Sequence, residues 1–512
     1  MSKDLDVEMK DVELNEVDQE KQPMTDGEAG NGDGISPTST EKNGIVKVKI
    51  PEDEAAVKFT GLSKEELLKV AGTPGWVRTR WALLVLFWLG WLGMLAGAVA
   101  IIVQAPRCKP LPKMNWWNEG PLYQIGDVAA FTGGNTLKGL AEKMESLSQL
   151  KVKGLVLGPI HVSDMDQSDS LSFTEIAPGV GTLEEFKFLI KTAQKKNIAV
   201  VLDLTPNYKG REPWFANGSV TDVAEKLKPA LVYWLKEGVD GVQLSGVERL
   251  VTVVPNQWAD IRAIVQNGTT DGKEKALFGV TEEGSVAEVS RLLNSSGVDL
   301  LMSGVLRSSL TGVDRAEALQ HLYAQNQMSV AWTMGDRRHG HLASLVSPKM
   351  LTLNQMLLFT LPGTPVFNYG DEIGLEDEKD TFPKMLWDSP GTADAANSTE
   401  KDRESIRSFF QKLSELRGKE RSLLYGSFRV LHNSTSCLGY LRQWDQSAGY
   451  LAAFNWGAES ASLSLAHASL PATATVTLST DTAAFPKDSS VKLAALELGS
   501  GQAVLLQYPY TA

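Results

Sequence analysis

At 512 residues, with 43% hydrophobic side chains, the chain has room for several domains and a large buried core. Its 62 acidic against 50 basic residues leave a net charge of -12, which excludes nucleic-acid binding through a broad basic surface. Two cysteines exclude a disulfide-built scaffold.

Residues 1–59 form a compositional zone of their own. "MSKDLDVEMKDVELNEVDQEKQ" is acidic and nearly free of aromatics, and the Gly-, Ser- and Thr-rich "GEAGNGDGISPTST" follows it. Such a segment cannot bury enough apolar surface to offset its chain entropy, so it reads as a disordered acidic tail. Residues 60–80 read as a juxtamembrane helix. In "TGLSKEELLKVAG", Ser63 and Glu66 make a capping box, Leu67, Leu68 and Val70 form an apolar patch, and Gly72 marks a stop.

Residues 81–103, "WALLVLFWLGWLGMLAGAVAIIV", carry no charge over about 23 positions, enough for a helix to cross hydrocarbon. No other segment is comparable. The run lies too far from Met1, and is too long, for a cleaved signal peptide, and reads as a signal anchor. Lys64, Lys69, Arg78 and Arg80 precede it, against Arg107, Lys109 and Lys113 after it. The sequons Asn217, Asn267, Asn294, Asn397 and Asn433 all lie beyond it. Together these predict a type II protein with a cytoplasmic tail and an extracellular or luminal body. Within the span, Gly93 and Gly97, with Gly90 one turn earlier, fit a contact with a second helix in lipid, or simply the abundance of glycine in membrane helices.

A stalk, residues 104–119, follows with Cys108 between Pro106 and Pro110. Two pairings fit this thiol: an internal bridge to Cys437, or a bond to another chain. The second is favoured because nothing else in the stalk offers it a mate. Cys437 sits in "SCLGYLRQW", a strand pattern in which a small cysteine is often simply buried.

From residue 120 to 420, short apolar β-rich runs alternate with helical patterns. They are "LYQIGD" at 122, "GLVLGPI" at 154, "IAVVLDLT" at 198, "GVQLSG" at 241, "ALFGVTE" at 276, "LLMSG" at 300, "SVAWTMG" at 329 and "TPVFNYGDE" at 364. Strands this apolar are buried on both faces, and eight such alternations predict a (β/α)8 TIM barrel. Residues 421–512 lose the helical pattern and read as a small antiparallel β-sandwich domain.

"LLFTLPGTPVFNYGDEIGL" and "VLDLTPNY" resemble the last-strand and third-strand motifs of the α-amylase family of glycoside hydrolases. That resemblance covers residues 115 to 512 and implies a catalytic triad of carboxylates at strand ends. Retaining chemistry places two of them about 5 Å apart across the scissile bond. Here the motifs depart from the family. In "DGVQLSGVERL" its arginine falls on Gln243 and its nucleophilic Asp on Ser245. The acid/base position falls on Thr281 and the positioning Asp on Gly335, while Asp203 is retained and Tyr208 replaces a histidine. Glu282 and Asp336 stand one residue off. A slip of one along a strand turns a side chain to the opposite face, so these neighbours are expected to point away from the site.

A cytoplasmic tail, one span, a juxtamembrane cysteine and a glucosidase-like body without its catalytic set resemble the heavy chains of heteromeric amino-acid transporters. The segments "GLSKEELLKVAG" and "RWALLVLFWLGWLGMLAGAV" carry that likeness. It implies a non-catalytic subunit that bonds through Cys108 to a multi-spanning light chain, carries it to the plasma membrane and stabilises it there. It also implies a contact with a β1-type integrin. A lone helix without intramembrane charge makes no aqueous path for amino acids, so transport belongs to the partner. The alternative is a membrane-anchored α-glucosidase using Asp203, Glu282 and Asp336 in an altered geometry. No His/Cys ligand cluster or glycine-rich phosphate loop is present, so neither metal nor cofactor is expected.

Overall fold

The computed structural model describes residues 63–105, 109–215, 219–270, 273–307, 310–378, 382–387 and 398–510. The acidic tail, Cys108 and the sequons Asn217 and Asn397 lie outside them. The chain divides into two units, residues 1–105 and 106–512.

In the first unit, helix Lys64–Ala71 starts on the Ser63 capping box: the Glu66 amide donates to Ser63 Oγ, and the Ser63 amide donates to Glu66 Oε2 at 3.1 Å. Gly72 ends it. A separate helix, Pro74–Gln104, then runs for 31 residues. The predicted juxtamembrane helix is therefore shorter than 60–80, because Pro74 blocks continuation but suits the first turn of a new helix, which takes in Arg78 and Arg80. Among the described residues this is the helix long and apolar enough to cross a membrane.

The second unit is built on a closed barrel of eight parallel strands in sequential order: Leu122–Ile125, Gly154–Leu157, Ala199–Asp203, Gly241–Ser245, Ala276–Val280, Leu300–Met302, Val330–Trp332 and Thr364–Asn368. Alternate residues divide between two cores. Leu122, Val156, Val201, Ala276, Phe278, Leu300, Met302, Ala331 and Val366 fill the interior. Tyr123, Leu155, Leu157, Val200, Leu202, Leu277 and Leu301 meet the surrounding helices. Such two-sided burial is why these runs read as continuously apolar. Helix Leu183–Lys195 shows the local logic: Thr182 and Glu185 exchange capping-box bonds, and Phe186, Leu189, Ile190 and Ala193 are its buried stripe. One element has no clear sequence signal, a hairpin of His161–Asp164 with Gln167–Ile176 after the second barrel strand. Its polar, half-exposed residues give no apolar alternation.

Beyond helix Ser398–Lys419, a six-stranded antiparallel sheet forms the C-terminal domain, with strands in the order Ser427–Asn433, Cys437–Gln443, Gly449–Asn455, Ala503–Tyr508, Thr473–Ser479 and Ser490–Lys492. A two-stranded sheet, Ala461–Leu463 with Leu496–Leu498, accompanies it. Cys437 is buried there as a free thiol. Two fully buried arginines meet at this junction: Arg442 of the sheet donates to the barrel carbonyl of Thr360 and to those of Leu423 and Gly426, while Arg417, in helix Ser398–Lys419, donates to the barrel carbonyls of Phe359, Leu361 and Gly363. These carbonyls include the end of helix Leu351–Thr360, where a cation meets the negative end of the helix dipole.

Candidate functional site

The carboxyl ends of the barrel strands surround a hollow lined by Asp203, Gln243, Ser245, Glu282, Asp336 and Arg337, among others. Its free volume is about 50 Å3. A water needs roughly 10–15 Å3 on this measure, so the space amounts to a few waters.

Strand alternation explains part of the lining. Interior Val201 sets Asp203 facing inward, and Ala276, Phe278 and Val280 do the same for Glu282. This corrects the sequence expectation. Thr281, not Glu282, has the outward parity, and it is almost fully buried beside Glu248. Asp336 also lines the hollow, for a different reason. The seventh strand ends at Trp332, so alternation does not govern Asp336, which sits in a tight turn bridged to Gly340. Gly335 offers nothing in its place: an added Cβ would stand 2.6 Å from the Gly340 carbonyl oxygen. Three carboxylates therefore meet at the mouth, two of them placed there against expectation.

Each is occupied by partners from the same chain. Asp203 Oδ1 accepts from the Thr205 amide at 2.8 Å and hydroxyl at 2.6 Å, and Oδ2 accepts from Gln243 Nε2 at 3.0 Å. Burial nevertheless raises its carboxyl above the usual range, with these bonds and Arg337 opposing. Asp336 pairs with Arg307 at 2.6 Å and with His339 Nδ1 at 2.9 Å. Burial alone would raise this group, but the His339 bond and the Arg307 charge together bring it down to about 2. Glu282 pairs with Arg338 at 2.9 Å, and His339 Nε2 lies 3.4 Å from its other oxygen. One imidazole thus stands between Asp336 and Glu282.

Arg337, which sequence reasoning missed, lies over the Tyr208 ring at 4.6 Å and faces Phe382 at 5.3 Å. Its charge also acts on Asp203. The doubled arginine of "GDRRHG" is the available signal, but only Arg338 serves as a register mark in the motif. Tyr208 donates to the His161 carbonyl at 2.9 Å, and Asn207 exchanges bonds with Asp166 in the turn of the extra hairpin. Both residues therefore brace the loops. At the fourth strand, the Ser245 amide donates to Thr205 Oγ1 and its carbonyl accepts from Trp214.

Outside the mouth, a Cβ added at Gly90, Gly93 or Gly97 meets nothing within 4 Å, so packing among the described residues does not require these glycines. Asn267, Asn294 and Asn433 are exposed.

Comparison with known proteins places both units. The family described as the Solute carrier family 3 member 2 N-terminus matches residues 47–123, and the alpha amylase catalytic domain matches residues 118–226. A solved α-amylase from Geobacillus thermoleovorans, complexed with acarbose, superposes with a TM-score of 0.60 at 18% identity over 78% of this chain and 100% of that one. That likeness concerns the fold. Amino acid transporter heavy chain SLC3A1 of Homo sapiens is 23% identical over 91% of this chain and 88% of its own length. Amino acid transporter heavy chain SLC3A2 of Mus musculus is 46% identical over 541 aligned residues, covering 100% of both chains. By that full-length identity, the chain belongs to the amino acid transporter heavy chains.

Proposed function

We propose that the chain is a non-catalytic heavy subunit: a type II protein whose Cys108 bonds to a multi-spanning light chain, bringing it to the plasma membrane and stabilising it for amino-acid exchange. The observation that carries the scaffold reading is the self-occupied mouth. By the motif resemblance Ser245 falls at the hydrolases' nucleophile position, and the nearby carboxylates are bound to Arg307, Arg338, His339, Thr205 and Gln243. A serine hydroxyl without an activating base does not replace a carboxylate at an oxocarbenium centre.

Chain geometry supports an intermolecular bond. The Lys109 amide donates to Asp445 Oδ2 at 2.9 Å, at the far end of strand Cys437–Gln443 from Cys437. That strand spans about 20 Å. A disulfide needs Cα atoms within roughly 7 Å, and stepping back one residue from Lys109 gains only about 3.8 Å. This contact of Lys109 favours a bond to another chain over an internal Cys108–Cys437 bridge. Gly90, Gly93 and Gly97 supply the close-approach face for a partner helix in lipid. The span implies a lipid environment, and a β1-type integrin contact rests on family resemblance alone. The exposed Asn267, Asn294 and Asn433 are the described candidates for glycosylation.

Co-expression with a light chain tests this. Cys108→Ser removes the covalent heterodimer on non-reducing gels while non-covalent co-purification persists through helix and barrel contacts. A covalent band that survives the substitution overturns the assignment of Cys108. The convergence of Asp203, Glu282 and Asp336 on one hollow is the observation that keeps a glucosidase reading in play.

A further inference from the structure

Another cleft lies where helix Ser398–Lys419 meets the C-terminal sheet, apart from the barrel mouth. Its free volume is about 410 Å3, and Lys412, Leu416, Lys419, Leu478, Phe485 and Lys487 are among its lining residues. Small-molecule sites run from roughly 300 to 1,000 Å3 and favour junctions of this kind.

Both walls follow from local structure. On the helix, Lys412, Glu415, Leu416 and Lys419 stand at i, i+3, i+4 and i+7 and so share one face. On the sheet, Ala474 and Val476 pack into the core between the two sheets, and strict alternation would send Leu478 after them. It does not go there. Val476 pairs with Leu506 while Leu478 pairs with Leu505, so Thr477 is an extra residue in the strand. That bulge turns Leu478 to the barrel side, where it and Leu416 pack half-buried against the same core. The turn carrying Phe485 is pinned as well. The Phe485 amide donates to the Asp481 carbonyl at 2.9 Å, and the Ala483 and Ala484 amides donate to Asp481 Oδ1 at 3.0 and 3.1 Å. The Asp488 amide then ties the turn back to the Val476 carbonyl at 2.8 Å.

The rim is cationic. Lys412, Lys419 and Lys487 are exposed, and among the described residues none of them has a carboxylate partner. Against these three lysines the lining sets Glu415. A cationic rim around an apolar floor complements a ligand that has an apolar chain and a negative head.

We propose that the cleft binds a free single-chain carboxylate of the medium-chain fatty-acid class, its chain on Leu416, Leu478 and Phe485 and its head at the lysine rim. Taking the chain out of water supplies the attraction. Each exposed lysine adds little affinity and is screened by salt, so the rim's part is to select an anion over a neutral amphiphile.

The test is photolabelling of the full chain in nanodiscs of zwitterionic lipid, using a decanoate with a diazirine in its chain and locating the label by peptide mass spectrometry. Label falls on residues 412–419 and 476–487, unlabelled decanoate competes it away, and decanol competes at least about tenfold more weakly. Lys412→Gln combined with Lys419→Gln and Lys487→Gln lowers the labelling about tenfold, and raising the salt weakens labelling of the wild-type chain but not of this variant. Leu478→Gln lowers it through the floor. If that half-buried change misfolds the sheet, the exposed lysine changes remain informative. The absence of competable label on these two segments overturns the proposal. So does wild-type labelling of the triple glutamine variant, or decanol competing as well as decanoate.

Discussion

Replacing Arg442 with leucine lowers the unfolding free energy of the barrel and β-domain unit by about 3 kcal/mol or more, read from a denaturant midpoint. The side chain is fully buried and donates to three carbonyls, from Thr360, Leu423 and Gly426, at 2.8, 2.8 and 3.2 Å. Leucine leaves those oxygens buried without a donor, and each such loss costs about 1–3 kcal/mol. Burial brings the guanidinium down only to about 10, so it stays charged at neutral pH and its bonds are charge-assisted. Lysine, with no planar fork, recovers part of the loss. A midpoint unchanged by leucine would show that the barrel and the sheet do not depend on this fastening.

The second large effect is an acid-sensitive one at the mouth. Asp336 titrates near 2 in the folded chain against its ordinary 3.8. A lowered carboxyl stabilises the folded state above its unfolded value, and that contribution disappears as pH falls through the folded value. Asp336→Asn therefore costs about 2 kcal/mol at neutral pH, and the difference from wild type shrinks as pH drops from about 4 toward 2. Asp371 acts with the opposite sign. Burial raises it to about 8, so its contribution is complete below 3.8 and is lost as pH rises through 8. The alkaline limb should therefore be common to wild type and Asp336→Asn. Parallel acid limbs in the two proteins would contradict the ion pairs drawn for Asp336.

Most of the architecture is written in periodicity. All eight barrel strands fall on apolar runs visible in the sequence, because two-sided burial demands such runs, and the Ser63 and Thr182 capping boxes appear where serine and threonine precede a glutamate by three. The extra hairpin from His161 to Ile176 leaves no such mark, since much of it is solvated and polar. The site is less legible. Parity counted from Ala276, Phe278 and Val280 puts Glu282 at the mouth, but the family motif gives Thr281 priority. For Asp336 even parity fails, because the strand stops at Trp332 and a turn redirects the chain. The pairings of Arg307 with Asp336 and of Arg338 with Glu282 join separate strand ends, which no local pattern encodes.

The central claim is that this mouth has been closed by the chain's own side chains. It is tested most directly by incubating the purified full chain with a nitrophenyl α-glucoside or maltose. The account predicts no release above the uncatalysed background, with Asp203→Asn indistinguishable from wild type. Turnover by the wild-type chain that disappears in Asp203→Asn would contradict it.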